Sequence, residues 1–185
     1  MSKSALTILH QGFEEMEAIA PIDILRRGGV TVTVASREPD LVVKGRNEIT
    51  VTAELPLDEA LKQRYDALIL PGGPGVFSQL RGDQRVADAL KHFAETDKLV
   101  CAICAAPVVL ADAGLLAGKR FTSHTSTADE LPGRDPERAV VEDNNLITSQ
   151  GAGTATAFAL AVLARLTNQA IADDVAASIC LSTPQ

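Results

Sequence analysis

Leu99-Val100-Cys101-Ala102-Ile103-Cys104-Ala105-Ala106-Pro107 is the stretch whose reading decides the fold. Leu99 to Ile103 is a short apolar run directly after the charged pair Asp97 and Lys98, which is the pattern of a buried strand in a parallel sheet. Ala105 to Ala113 forms a second apolar segment, and its Pro107 fits only the first turn of a helix. Cys104 therefore stands at a strand-to-helix elbow. Such an elbow presents a side chain at the carboxyl edge of the sheet, where the following amides and the positive end of the helix dipole favour a thiolate. Two readings follow from this stretch: an activated nucleophile, or a buried cysteine serving as a small hydrophobe.

The same alternation continues on both sides of the elbow. Upstream, Ala5 to Leu9 reads as a strand, and a helical pattern then carries Met16, Ile19, Ile22 and Leu25 on one face until Arg26-Arg27-Gly28-Gly29 ends it. Val30 to Ser36 reads as a second strand, Leu41 to Val43 with Ile49 to Val51 as a hairpin, and Leu57 to Leu61 as a short helix. Ala67 to Leu70 is a buried strand running into Pro71-Gly72-Gly73-Pro74-Gly75, a turn so rich in glycine that its amides are exposed. Val86 to Ala94 reads as helix. Downstream, Phe121-Thr122 reads as the start of a strand, Val140-Val141 and Leu146 to Ser149 as two more, and Thr154 to Leu166 and Ala170 to Leu181 as helices. Strands alternating with helices throughout predict an α/β sandwich with a mostly parallel sheet flanked by helices, in one domain spanning residues 1–185.

Composition narrows the function. Hydrophobic residues make up 46% of the chain but aromatics only 3%, so the core is built from Ala, Val, Leu and Ile. A net charge of -7 repels phosphate backbones, and one Tyr with five Phe leaves little for stacking bases, so nucleic acid is not expected as a partner. No basic run suits a membrane surface, the start lacks a long apolar leader region, and runs such as Ala157 to Ala164 fall short of the ~18 residues of a span. A soluble, cytoplasmic protein is expected, its three cysteines held as free thiols.

In a parallel sheet the ligand site lies beyond the carboxyl ends of the strands. The loops there carry Glu14, Glu15 and Glu17, Gly72-Gly73, Cys104, and Gly151-Ala152-Gly153. A glutamate in this crevice is a general acid/base beside the thiol, while the others complement the helix dipole. The amides of Gly72 and Gly73, with that of Ala105, are candidate oxyanion donors, or else simply belong to a tight turn. Cys101 and Cys104 form a C-x-x-C, but three residues of strand span about 10 Å, beyond the ~7 Å limit for a disulfide. Cys101 is read as core, and so is Cys180. The glycine turns lack G-K-[ST], Gly151-x-Gly153-x-x-Thr156 lacks the third glycine of a dinucleotide fingerprint, and His10, His92 and His124 show no metal-ligand pairing. No cofactor and no metal are expected. His124 is the one histidine placed to assist Cys104, with an exposed loop histidine as the alternative.

Glu14-Glu15-Met16-Glu17, Leu70-Pro71-Gly72-Gly73, Ala102-Ile103-Cys104-Ala105-Ala106-Pro107 and Ile147-Thr148-Ser149-Gln150-Gly151-x-Gly153-Thr154 together resemble the ThiJ/PfpI superfamily, and most closely its parkinsonism-associated deglycase branch. The resemblance spans nearly the whole chain. It implies a flavodoxin-like fold, a homodimer, Cys104 as nucleophile, Glu17 as the acid beside it, Gly73 and Ala105 as amide donors, and His124 as an auxiliary. It also implies that Arg27 and Arg46 line the pocket near the dimer interface. Ala105 follows the nucleophile where protease-like relatives carry His, which weakens a peptidase reading, and Val51 stands where some relatives carry a second redox-sensitive cysteine. The implied function is a cofactor-independent glyoxalase or deglycase acting on methylglyoxal, glyoxal or their early protein adducts. The alternative is a redox-sensing or chaperone-like stress protein in which oxidation of Cys104 is the signal.

Overall fold

The strand before the elbow sits deep inside a sheet. In a computed structural model describing residues 2–181, the chain runs β1 (Ser4–Leu9), α1 (Glu15–Arg27), β2 (Thr31–Ser36), a β3–β4 hairpin (Val42–Lys44, Thr50–Thr52), β5 (Leu55–Pro56), α2 (Leu57–Ala60) and β6 (Ala67–Leu70). It continues through α3 (Gln84–Glu95), β7 (Leu99–Ile103), α4 (Pro107–Asp112), β8 (Val140–Asp143), β9 (Leu146–Ser149), α5 (Ala155–Leu166) and α6 (Gln169–Ser178). The main sheet has the order β5-β2-β1-β6-β7-β9-β8, parallel except for β8, which pairs antiparallel with β9. The inner order 2-1-6-7-9 is that of flavodoxin-like folds, as expected.

Every residue of β6 and β7 is buried, because helices cover both faces of the sheet. Right-handed crossovers to opposite sides of β1 place α1 and α3 on opposite faces. α5 packs along α1, and the aromatic-poor core relies there on Phe158, which is fully buried. Phe158→Ala is expected to cost about 3–5 kcal/mol, read as a lower denaturation midpoint in urea at unchanged slope.

Three details differ from the sequence reading. Phe121-Thr122 is not strand: the Thr122 amide donates to the Thr148 side chain at 2.9 Å and the Phe121 carbonyl accepts from Asp135, so side-chain and loop bonds replace a ladder. Cys180 is exposed rather than core, because α6 ends at Ser178 and Cys180 lies in the left-handed turn beyond it (φ 57°). The apolar face of α1 is also split. Ile22 and Leu25 are buried, whereas Met16 and Ile19 are 58% and 42% exposed.

Candidate active site

Between β1 and β6 the chain order reverses, and the crevice beyond their carboxyl ends is where such folds bind ligands. α1 starts at this edge. Its three glutamates, indistinguishable by type, take three different roles. Glu14 caps the helix, its carboxylate accepting the Glu17 amide at 2.9 Å. Glu15 turns outward to the β3–β4 hairpin, where its oxygens accept from the Asn47 backbone and side chain at 2.7 and 2.9 Å. Glu17 turns into the crevice, is 1% exposed, and hydrogen-bonds the Cys104 side chain.

Cys104 itself has φ 65°, a left-handed backbone that non-glycine residues seldom adopt. The chain holds it there from both sides: its amide donates to the Ser149 carbonyl at the end of β9, and its carbonyl accepts from the His124 amide, each at 2.9 Å. Backbone strain kept in place by surrounding bonds is a mark of functional turns. The turn sets the sulfur near Gly73 of the loop after β6 and Ala105 of its own elbow, whose amides favour its ionised form. Glycine is required at 72, since a Cβ there would lie 2.6 Å from both the Cys104 Cβ and a Glu17 carboxylate oxygen. The Gly72 amide donates to Glu17 Oε2 at 2.9 Å, so it fixes the acid while Gly73 and Ala105 serve the sulfur.

The electrostatics of this pair follow from its burial. Desolvation is the largest influence on both groups, raising the Glu17 carboxyl to about 7 and pushing the Cys104 thiol up to about 12. Each group's charge opposes the other's, so the pair releases its protons in two steps, and above about pH 7 one proton remains between sulfur and carboxylate. Arg46, in the hairpin turn, favours the ionised carboxylate through its charge.

His124 reaches the crevice edge. A Cβ on Gly151 would lie 3.4 Å from the His124 ring and 3.7 Å from Glu17 Oε1, while His124 Nδ1 faces the Ser126 hydroxyl at 2.9 Å. Arg27 does not reach it: it lies ten residues along α1 from Glu17, about 15 Å of helix, paired with Asp23 at 2.7 Å. Cys101 is fully buried in β7, its thiol raised by desolvation and its disulfide partner absent.

The structure adds His10, which the sequence marked only by its lack of metal spacing. It is 1% exposed at the end of β1, burial lowers it to about 4, and its ring nitrogens face the carbonyls of Gln11 (3.2 Å) and Pro71 (3.5 Å). A neutral His10 thus buttresses the loop that carries Gly72 and Gly73. Among the described residues no group of three or more His, Cys, Asp or Glu is arranged to hold a metal, and no helix is long and apolar enough to cross a membrane.

This geometry has relatives. The chain is 38% identical to the protein dj-1beta of Drosophila melanogaster over 98% of its own length and 99% of that protein's. Its backbone matches the crystal structure of Drosophila DJ-1beta with a TM-score of 0.94, at 37% identity, covering 99% of this chain and all of that one. It is 33% identical, over 97% of both lengths, to a Caenorhabditis elegans protein named glutathione-independent glyoxalase DJR-1.2. Residues 3–165 match the model of the DJ-1/PfpI family, and with that match and these full-length relatives the chain belongs to the DJ-1/PfpI family.

Proposed function

We propose that the protein is a cofactor-independent glyoxalase that converts methylglyoxal to lactate, with early aldehyde adducts on proteins as a variant substrate class. The observation that carries this reading is the burial of Cys104 and Glu17 side by side at Gly72, next to the amides of Gly73 and Ala105. As the Cys104 sulfur adds to the aldehyde carbon, the proton it shares with Glu17 passes through the carboxyl to the resulting alkoxide. The carboxylate then takes the hydrogen from that carbon as a proton, leaving an enediolate, and returns it to the neighbouring carbon while the hydroxyl proton passes to the neighbouring oxygen, which leaves a lactoyl thioester on sulfur. Water hydrolyses the thioester, releasing lactate and restoring the thiol. The amides of Gly73 and Ala105 stabilise the oxyanions of addition and hydrolysis, and His124 at the crevice edge assists. Purified protein given methylglyoxal without any added thiol is expected to form lactate, and its failure to do so removes the reading.

A second reading has its own support: the amides of Gly73 and Ala105, joined by Glu17 once it is protonated, suit a Cys104 sulfinate. Peroxide treatment and peptide mapping test it, with oxidation expected at Cys104 ahead of the exposed Cys180.

The proposal includes a homodimer. Met16 and Ile19 stand exposed on α1, and Ile49 is 56% exposed on the hairpin that Glu15 ties to that helix. This apolar patch beside the site is suited to a second copy. Light scattering is expected to give twice the chain mass of 19.5 kDa, and Ile19→Glu a single-chain species.

A further inference from the structure

A cavity of about 750 Å³ lies at the amino edge of the sheet, at the opposite end of the strands from the Cys104 crevice. Its lining residues Tyr65, Asp66 and Lys98 immediately precede β6 and β7, whereas Gly72 and Cys104 follow those strands. Four to five residues of strand at ~3.3 Å each set the two places about 13–16 Å apart. Their chemistry is separate too, since no group of the Cys104 site lines this cavity.

Its volume is that of a small-molecule site. In a chain with one tyrosine and five phenylalanines, Tyr65 and Phe93 both line it, together with Ala89 of α3. The Tyr65 hydroxyl is buried and has no hydrogen-bond partner among the described residues. It is closed off from the cavity, so the polar anchor of a ligand lies elsewhere on the lining.

The charges at the rim are unequal in availability. Asp66 is neutralised by Lys98 at 3.0 Å and Lys3 at 3.6 Å, and Arg85 is held by Asp83 and Asp58. Arg64, next to Tyr65, has no carboxylate partner among the described residues. A guanidinium left free beside an apolar recess, in a chain of net charge -7, is a planar two-pronged receptor for a carboxylate.

We propose that this cavity binds a small aromatic carboxylate, its ring between Tyr65 and Phe93 and its carboxylate on the Arg64 guanidinium. The probe is 2-naphthoate, titrated calorimetrically into the full chain, with 2-naphthalenemethanol as the uncharged control. Saturable binding of one 2-naphthoate per chain is expected, at least tenfold tighter than the alcohol. Arg64→Gln is expected to weaken it about tenfold, while Ala89→Phe, which fills the cavity, abolishes it. Cys104→Ser is expected to bind as the wild type does, which separates this site from the glyoxalase reading. Absence of saturable binding, equal affinity for the alcohol, or affinity unchanged in Arg64→Gln overturns the proposal. Arg64 is exposed, so its variant keeps the test sound if Ala89→Phe fails to fold.

Discussion

Cys104→Ser is expected to lower lactate formation from methylglyoxal by roughly 10⁴-fold or more, while the protein melts within a few degrees of the wild type. The argument is local. A serine hydroxyl is nearly isosteric with the thiol and keeps the backbone bonds of the elbow to Ser149 and His124, so the packing around position 104 changes little. The left-handed backbone at 104 is equally uncommon for either residue, so no strain is gained or lost. What disappears is the ionisable nucleophile, because the amides of Gly73 and Ala105 that favour a thiolate cannot ionise an alcohol at neutral pH. Cys101→Ala is the matched control: that thiol is fully buried in β7 and is expected to be dispensable for turnover. A Cys104→Ser protein that retained a tenth of the wild-type rate would dismiss covalent catalysis at this position.

Glu17→Gln is expected to separate thiol ionisation from proton relay. The glutamine carbonyl can still accept the Gly72 amide, and its NH₂ can still donate to sulfur, so the geometry is kept. The negative charge that raises the thiol is gone, and Cys104 should therefore titrate lower than its value of about 12 in the wild type. Turnover should nonetheless fall by ~10²- to 10⁴-fold, the usual loss on removing an acid/base group. In the wild type, activity is expected to rise with pH through about 7, as the pair loses its first proton and the reactive monoanion forms. Thiolate absorbance against pH, measured beside lactate formation, reads both effects. A glutamine variant with the wild-type rate would leave Glu17 as no more than a structural acid at the helix start.

The sheet was legible in the sequence wherever a strand is buried on both faces, since Ala67–Leu70 and Leu99–Ile103 are continuous apolar runs bounded by charge or glycine. The elbow was legible for a related reason, as Pro107 dates the start of the helix. β5 was not, being two residues long with a proline, and the apparent strand at Phe121-Thr122 fails because its bonds go to Thr148 and Asp135, which no local pattern encodes. In the site, spacing put three glutamates at one helix start, and the family resemblance chose Glu17. The role of Glu15 depends on a hairpin thirty residues away, whereas Glu14 is a local helix cap. The use of the Gly72 amide by Glu17, and the buttress formed by His10, depend on how two loops from different strands approach each other, and neighbouring residues carry no trace of that.

The central position of β1 has a consequence for synthesis of the chain. β1 pairs with β2, made soon after it, but its other edge waits for β6, about sixty residues later, or about 3–12 s at ~5–20 residues per second. Until then one edge of the first-made strand has its backbone groups unpaired. The elbow is completed later still, when the carbonyl of Ser149 arrives to take the Cys104 amide. On the ribosome, then, the chain carries three ordinary cysteines. The reactive thiol appears only with the finished sheet, so its labelling rate doubles as a clock for folding.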